Sequence, residues 1–129
     1  MLNFELEPCE WRKNMKIIME NIDLNKIEFR TDNSILFSFS STCNGNEYKK
    51  FLCKNVWKFS ASNNLNEEDI FPCFICDVRI SELKPSEIKS TFNYLGYGFG
   101  DIPHSDKYLF VCLDSGEICI EMICSDISF

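Results

Sequence analysis

The sequence predicts an α+β domain that is mainly β, an antiparallel sheet of about six to eight strands with one helix over residues 85–95 and a C-terminal hairpin. Three observations carry this expectation. Most of the chain alternates apolar and polar residues with the period of two that a half-buried strand requires. Short polar clusters of turn residues separate these runs: Thr31-Asp32-Asn33-Ser34, Asn44-Gly45-Asn46, the stretch Ser62-Asn63-Asn64-Leu65-Asn66, and Asp114-Ser115-Gly116. Only residues 85–95 combine helical apolar spacing with start and stop signals.

Residues 11–19 have apolar spacing that fits neither template, so helix and strand both remain open there. Ile35, Phe37 and Phe39 alternate with Leu36, Ser38 and Ser40, and residues 27–30 are a natural hairpin partner across the Asp32-Asn33 turn. Between residues 48 and 60 the bulky side chains Phe51, Cys53, Val56, Trp57 and Phe59 change phase near Asn55. That predicts one long strand with a bulge or two short strands. Phe74, Cys76, Val78 and Ile80 form another alternating run, with Asp77 and Arg79 on the opposite face.

In the helix, Ile88, Thr91, Phe92 and Leu95 share one side, Pro85 suits the first turn, and Gly96 is the stop. Residues 108–113 and 117–127 then make the strongest hairpin signal around Asp114-Ser115-Gly116. Ile118, Ile120, Met122 and Cys124 fall on one face, and Glu117, Cys119 and Glu121 on the other.

The 129 residues fit a single domain spanning 1–129, and 12 Phe, 4 Tyr and 2 Trp supply one packed core without disulfide or metal support. No long apolar stretch suggests a membrane span, and the first ten residues lack the basic, apolar pattern of a signal peptide. The expected compartment is therefore the cytoplasm, with the 8 Cys reduced and mostly buried. A net charge of −7, from 20 acids against 13 bases, disfavours nucleic acid and anionic lipid as partners and suits a basic protein.

No catalytic or cofactor constellation is legible. Cys73 and Cys76 have CxxC spacing, but an offset of three along a strand puts the two thiols on opposite faces, and no second pair completes a tetrahedral set. Cys112, Cys119 and Cys124 sit in the terminal hairpin, where some can approach across the strands; buried free thiols are the simpler expectation, so neither metal nor cofactor is expected. His104, the only histidine, lies in an acidic loop with Asp101 and Asp106. An enzymatic role would require it to work with a thiol or carboxylate. Gly96, Gly98 and Gly100 follow the helix and so cannot present its N-terminus to phosphate.

The stretch Phe51-Leu52-Cys53-Lys54-Asn55-Val56-Trp57-Lys58-Phe59, then residues 71–83, 93–99 and 108–127 with Ser115-Gly116-Glu117-Ile118-Cys119-Ile120, resembles in its layout the small bacterial immunity proteins. Those proteins accompany polymorphic and contact-dependent growth inhibition toxins. The resemblance implies a non-enzymatic role, binding a cognate toxin and masking its active site, and it carries over no site residues. Charge suggests a basic toxin domain, such as a nuclease. The acids Glu67, Glu68 and Asp69, with Asp101 and Asp106, are the candidate contacts, and Tyr97 a candidate aromatic anchor. The alternatives are a small enzyme built on His104 and a structural or regulatory subunit of a larger assembly.

Overall fold

The computed structural model describes residues 15–41, 47–63, 73–97, 101–115 and 118–129. Its strands are β1 (Lys16–Phe29), β2 (Ile35–Ser41), β3 (Glu47–Lys54), β4 (Lys58–Asn63), β5 (Cys73–Glu82), β6 (Leu109–Asp114), β7 (Ile118–Cys124) and β8 (Asp126–Ser128), with one helix, α1 (Pro85–Tyr94), between β5 and β6. All eight strands pair antiparallel in one sheet, in the order β4-β7-β6-β5-β1-β2-β3-β8. The expected mainly β architecture, single helix and terminal hairpin are all present.

The sheet closes on itself. β3 and β4 are one chain segment bent at residues 55–57, and β7 and β8 are another bent at Ser125. The two bent segments pair on both sides of the bend, Lys58 opposite Ile123 on one side and Lys54 opposite Asp126 on the other. Counted as bent staves, the strands run β1, β2, β3–β4, β7–β8, β6, β5 and back to β1. The phase change foreseen near Asn55 is this corner. Asn55 takes a left-handed conformation (φ 52°), which asparagine tolerates better than most residues, and its amide donates to Ser125 Oγ at 3.0 Å. The Ser125 amide donates to the Lys54 carbonyl and the Trp57 amide to the Ile123 carbonyl, each at 3.0 Å, so pairing continues through the corner.

The enclosed core is formed by the inward members of each stave. Phe37, Phe39 and Phe51 stack within it, their ring centroids 5.1 to 6.5 Å apart. Ile22, Leu24, Ile75, Val78, Val111, Leu113, Ile120 and Met122 fill the remainder. Cys53 and Cys124 are also inside; the hydrogen bond with the Cys124 thiol, together with burial, pushes the Cys53 thiol well above the usual thiol range. The face assignment expected for the hairpin holds, with Ile118, Ile120, Met122 and Cys124 all buried in this core.

One open expectation is resolved and one is corrected. Residues 16–19, where helix and strand were both open, begin β1, while residues 11–14 lie outside the described residues. In β5 the first half has the opposite phase from the simple alternation: Cys73 and Ile75 point inward opposite Leu24 and Ile22, whereas Phe74 and Cys76 are exposed. The phase then slips, and Val78 faces the core. β1 slips at the same rung, between Met19 and Ile22, where Asn21 is left-handed (φ 55°). Period-two counting cannot register a slip that two neighbouring strands share.

Helix α1 starts at Pro85, with the Lys84 amide donating to Glu87 Oε1 at 2.8 Å. It ends in a Schellman arrangement: the Gly96 amide reaches the Asn93 carbonyl, and the Tyr97 amide the Phe92 carbonyl, each at 2.9 Å, while Gly96 adopts φ 78°. Thr91, Phe92 and Leu95 are buried, as the spacing predicted, and Ile88 is half-buried. Their apolar face lies on the outside of β6 and β7, against Phe110, Cys112 and Ile123.

Replacing Ile120, fully buried in the enclosed core, by Ala is expected to cost about 2 to 5 kcal/mol, the range for buried aliphatic truncations. Chemical denaturation measures this. A loss under about 1 kcal/mol would contradict the interior placement of the terminal hairpin.

Candidate functional site

β6 is apolar on both faces, because its inner face lines the barrel and its outer face lies under α1. Leu109, Val111 and Leu113 point into the barrel, while Phe110 and Cys112 join Met15, Leu83, Phe92, Leu95, Tyr108 and Ile123 in a second cluster. Trp57 packs against this cluster in a tilted orientation, 5.2 Å from the Tyr108 ring and 6.1 Å from Phe92. The Tyr108 hydroxyl donates to the Pro103 carbonyl, and the Leu83 amide donates to the Tyr108 carbonyl at 2.8 Å, which ties the loop after the helix to the end of β5.

At the margin of this cluster the outer face becomes polar and chemically mixed. Strand register places Cys112 directly opposite Glu121, and Asp114 opposite Cys119. Period two then puts Cys112, Asp114, Cys119 and Glu121 on one face. The Cys112 and Cys119 sulfurs and a Glu121 oxygen all lie within 4.8 Å of one another. Glu121 is 8% exposed and Cys112 2%. From the last turn of α1 the Tyr94 hydroxyl reaches across and donates to the Glu121 carboxylate, 3.0 Å from Oε1 and 3.2 Å from Oε2. Burying a carboxylate is unfavourable unless hydrogen bonds or a cation compensate, so this contact ties the helix to the sheet.

On the next strand the same face continues with Arg79 opposite Cys112 and Asp77 opposite Asp114. Arg79 Nη2 lies 3.0 Å from Asp77 Oδ2. This ion pair offsets the repulsion between Asp77 and Asp114, which stand directly opposite each other.

The other expected site residues fall as follows. Asp101, His104 and Asp106 are exposed in the segment leading to β6. Lys107 pairs with Asp126 at 3.4 Å; a backbone hydrogen bond at Ile127 and then Lys107 hold the Asp126 carboxyl below its usual range. Tyr97 is half-buried, its ring 4.9 Å from Phe92 and edge-on to it, the apolar contact that accompanies a Schellman turn. Glu67, Glu68 and Asp69 lie outside the described residues, as do Gly98 and Gly100. The six described cysteines are free thiols; Cys73 is buried and Cys76 exposed, on opposite faces as their spacing requires. Of the hairpin thiols, Cys112 and Cys119 converge, whereas Cys124 points into the barrel.

Sequence reasoning put Glu121 on one hairpin face with Glu117 and Cys119 but did not place it beside Cys112. The available signal was the two-sided apolar character of residues 109–113, which announces a cover over the outer face. Two depressions also open on the described surface. One of about 470 Å³ is lined by Lys16, Ser81, Lys84 and Glu87 among others, and one of about 200 Å³ by Phe29, Arg30, Trp57 and Phe59 among others. Neither is lined by His104. Among the described residues no helix is long and apolar enough to cross a membrane.

The fold and this face define a closed antiparallel barrel with one covering helix and a polar cluster beneath the helix's last turn. A family model described as "-like:-like" matches residues 17–129, and the chain belongs to that family. The crystal structure of an uncharacterized protein from Neisseria gonorrhoeae is similar, at 22% identity and a TM-score of 0.62, with 88% of this chain and 94% of that chain covered. At this identity the likeness shows a shared fold. A search of the curated proteins gave no match.

Tyr94→Phe removes only the hydroxyl that serves Glu121, and a hydrogen bond to a buried charged group contributes about 1 to 3 kcal/mol. Denaturant unfolding of this variant is expected to show a loss in that range. A loss below about 0.5 kcal/mol would mean that the Tyr94 hydroxyl does not support Glu121.

Proposed function

We propose that the protein is a non-enzymatic immunity protein, which binds a basic toxin domain in the cytoplasm and masks its active site with an acidic surface. The observation that carries this reading is the disposition of its acids. The net charge is −7, Asp114 is exposed on the outer face opposite the Asp77–Arg79 ion pair, and Asp101 and Asp106 are exposed in the segment that precedes β6. Exposed acids of this kind attract a cationic partner and speed its encounter with the chain. A nuclease is the toxin class whose phosphate-binding surface is most complementary to such a face. Glu67, Glu68 and Asp69, which lie outside the described residues, and the half-buried Tyr97 are the further proposed contacts. The layout shared with immunity proteins supports the role.

The test begins with the protein that co-purifies with the chain from its native host. That partner is expected to be basic and to lose its activity when saturated with the chain; full activity in the complex would refute the masking role. Charge steering predicts that association slows steeply as salt rises to physiological strength while dissociation changes less. Reversing Glu67, Glu68 and Asp69 to Lys, and separately Asp101 and Asp106, should weaken binding and protection while altering stability by about 0.5 kcal/mol or less, as exposed substitutions usually do. If both folded variants protect a toxin-producing cell as well as the parent does, the acidic surface is not the contact.

A further inference from the structure

We propose that Cys112, Cys119 and Glu121 form a binding site for one thiophilic divalent cation of the zinc class, set between the terminal hairpin and the last turn of α1. The sequence led to the opposite expectation, because the cysteine spacing shows no tetrahedral set. The fold builds the ligand group in a way that spacing does not encode. Cys112 and Glu121 are direct cross-strand partners, and Cys119 precedes Glu121 by one same-face position on β7. Their three ligand atoms already lie within 4.8 Å of one another. The ligand atoms of a tetrahedral zinc, with bonds of about 2.3 Å to sulfur and 2.0 Å to oxygen, stand about 3.5 to 3.8 Å apart. Contraction by about 1 Å, within the reach of side-chain rotation, therefore completes the geometry.

The chemistry of the donors selects the ion. Two sulfurs favour zinc and its softer relatives over magnesium or calcium, which prefer all-oxygen sites. Binding displaces the two thiol protons to solvent and leaves two thiolates and one carboxylate around the cation. Glu121 is 8% exposed and Cys112 2%, so both are held in a packed surrounding, while Cys119 is half-buried and gives the ion a way in. Tyr94 donates to the Glu121 carboxylate and so orients it, the supporting hydrogen bond that metal-ligating carboxylates usually receive. Three protein ligands leave the fourth position to solvent. Such an ion would join β6 to β7 directly and α1 to them through Tyr94, locking the helix over the second cluster.

The test uses the full chain, reduced with a non-thiol reductant and stripped of metal. Titration with Co²⁺ is expected to give thiolate-to-cobalt absorption that saturates at one equivalent and is displaced by Zn²⁺, with a rise in the thermal midpoint on zinc addition. Cys119→Ser and Glu121→Gln should each weaken cobalt binding by about tenfold or more, and Cys76→Ser should leave it unchanged. No absorption, saturation unaltered in Cys119→Ser, or loss of the signal in Cys76→Ser would each overturn the site. Should Cys119→Ser fail to fold by circular dichroism, zinc-edge absorption of the parent decides: two sulfur neighbours with oxygen supports the assignment, and any other count refutes it. Metal binding and partner masking are read by separate assays, so either proposal can fail without the other.

Discussion

The coordinated bend of two paired segments is the constraint on which the rest of the structure depends. Without the turn at residues 55–57, β3 and β4 would continue in one direction and the sheet would remain open, with its apolar inner face unmatched. The bend works because its partner bends at the same rung. Ser125 accepts the Asn55 amide and donates its own backbone amide to Lys54, so the hydrogen-bond ladder is carried across the corner. Closure then removes most free strand edges, which otherwise invite pairing with other chains. Among the described residues only β4 and β8, at the two ends of the strand order, each have a single strand neighbour.

Closure also decides the arrangement of the outer surface. Once the inward residues of β6 and β7 are committed to the barrel core, their outward residues need a second cover. α1 supplies it, and the Schellman turn at Gly96 brings the chain back with Tyr97 against Phe92. The helix is short, so its cover ends at Tyr94. There Phe110 and Ile123 give way to Cys112, Cys119 and Glu121, of which Cys112 and Glu121 are buried and Cys119 is half-buried. The acidic rung of Asp77 and Asp114 begins where that cover stops. The proposed metal-binding group therefore adjoins Asp114 on one face, and a cation bound there would reduce the negative charge next to it.

Much of the fold was legible because it is written in short periods. The alternation at residues 35–39 and 118–124, the Asp32-Asn33 turn, and the Pro85 and Gly96 boundaries of the helix all depend on neighbours within a few residues, and all stand where those patterns put them. The opposite faces of Cys73 and Cys76 followed from parity alone.

What the sequence could not determine is where separated segments meet. The inverted phase at Phe74 and Cys76 arises from a slip shared with Asn21 of a strand far away in the chain. The closure depends on two bends whose match is a property of register, and register is set by pairing across the sheet. The partnership of Cys112, Cys119, Glu121 and Tyr94 needs both a strand register and a docked helix, so no spacing rule contains it. Local propensity and parity thus determined the elements and their faces. Only the tertiary structure decided which faces would be covered twice, because burial is a property of what packs against a residue and not of the residue itself.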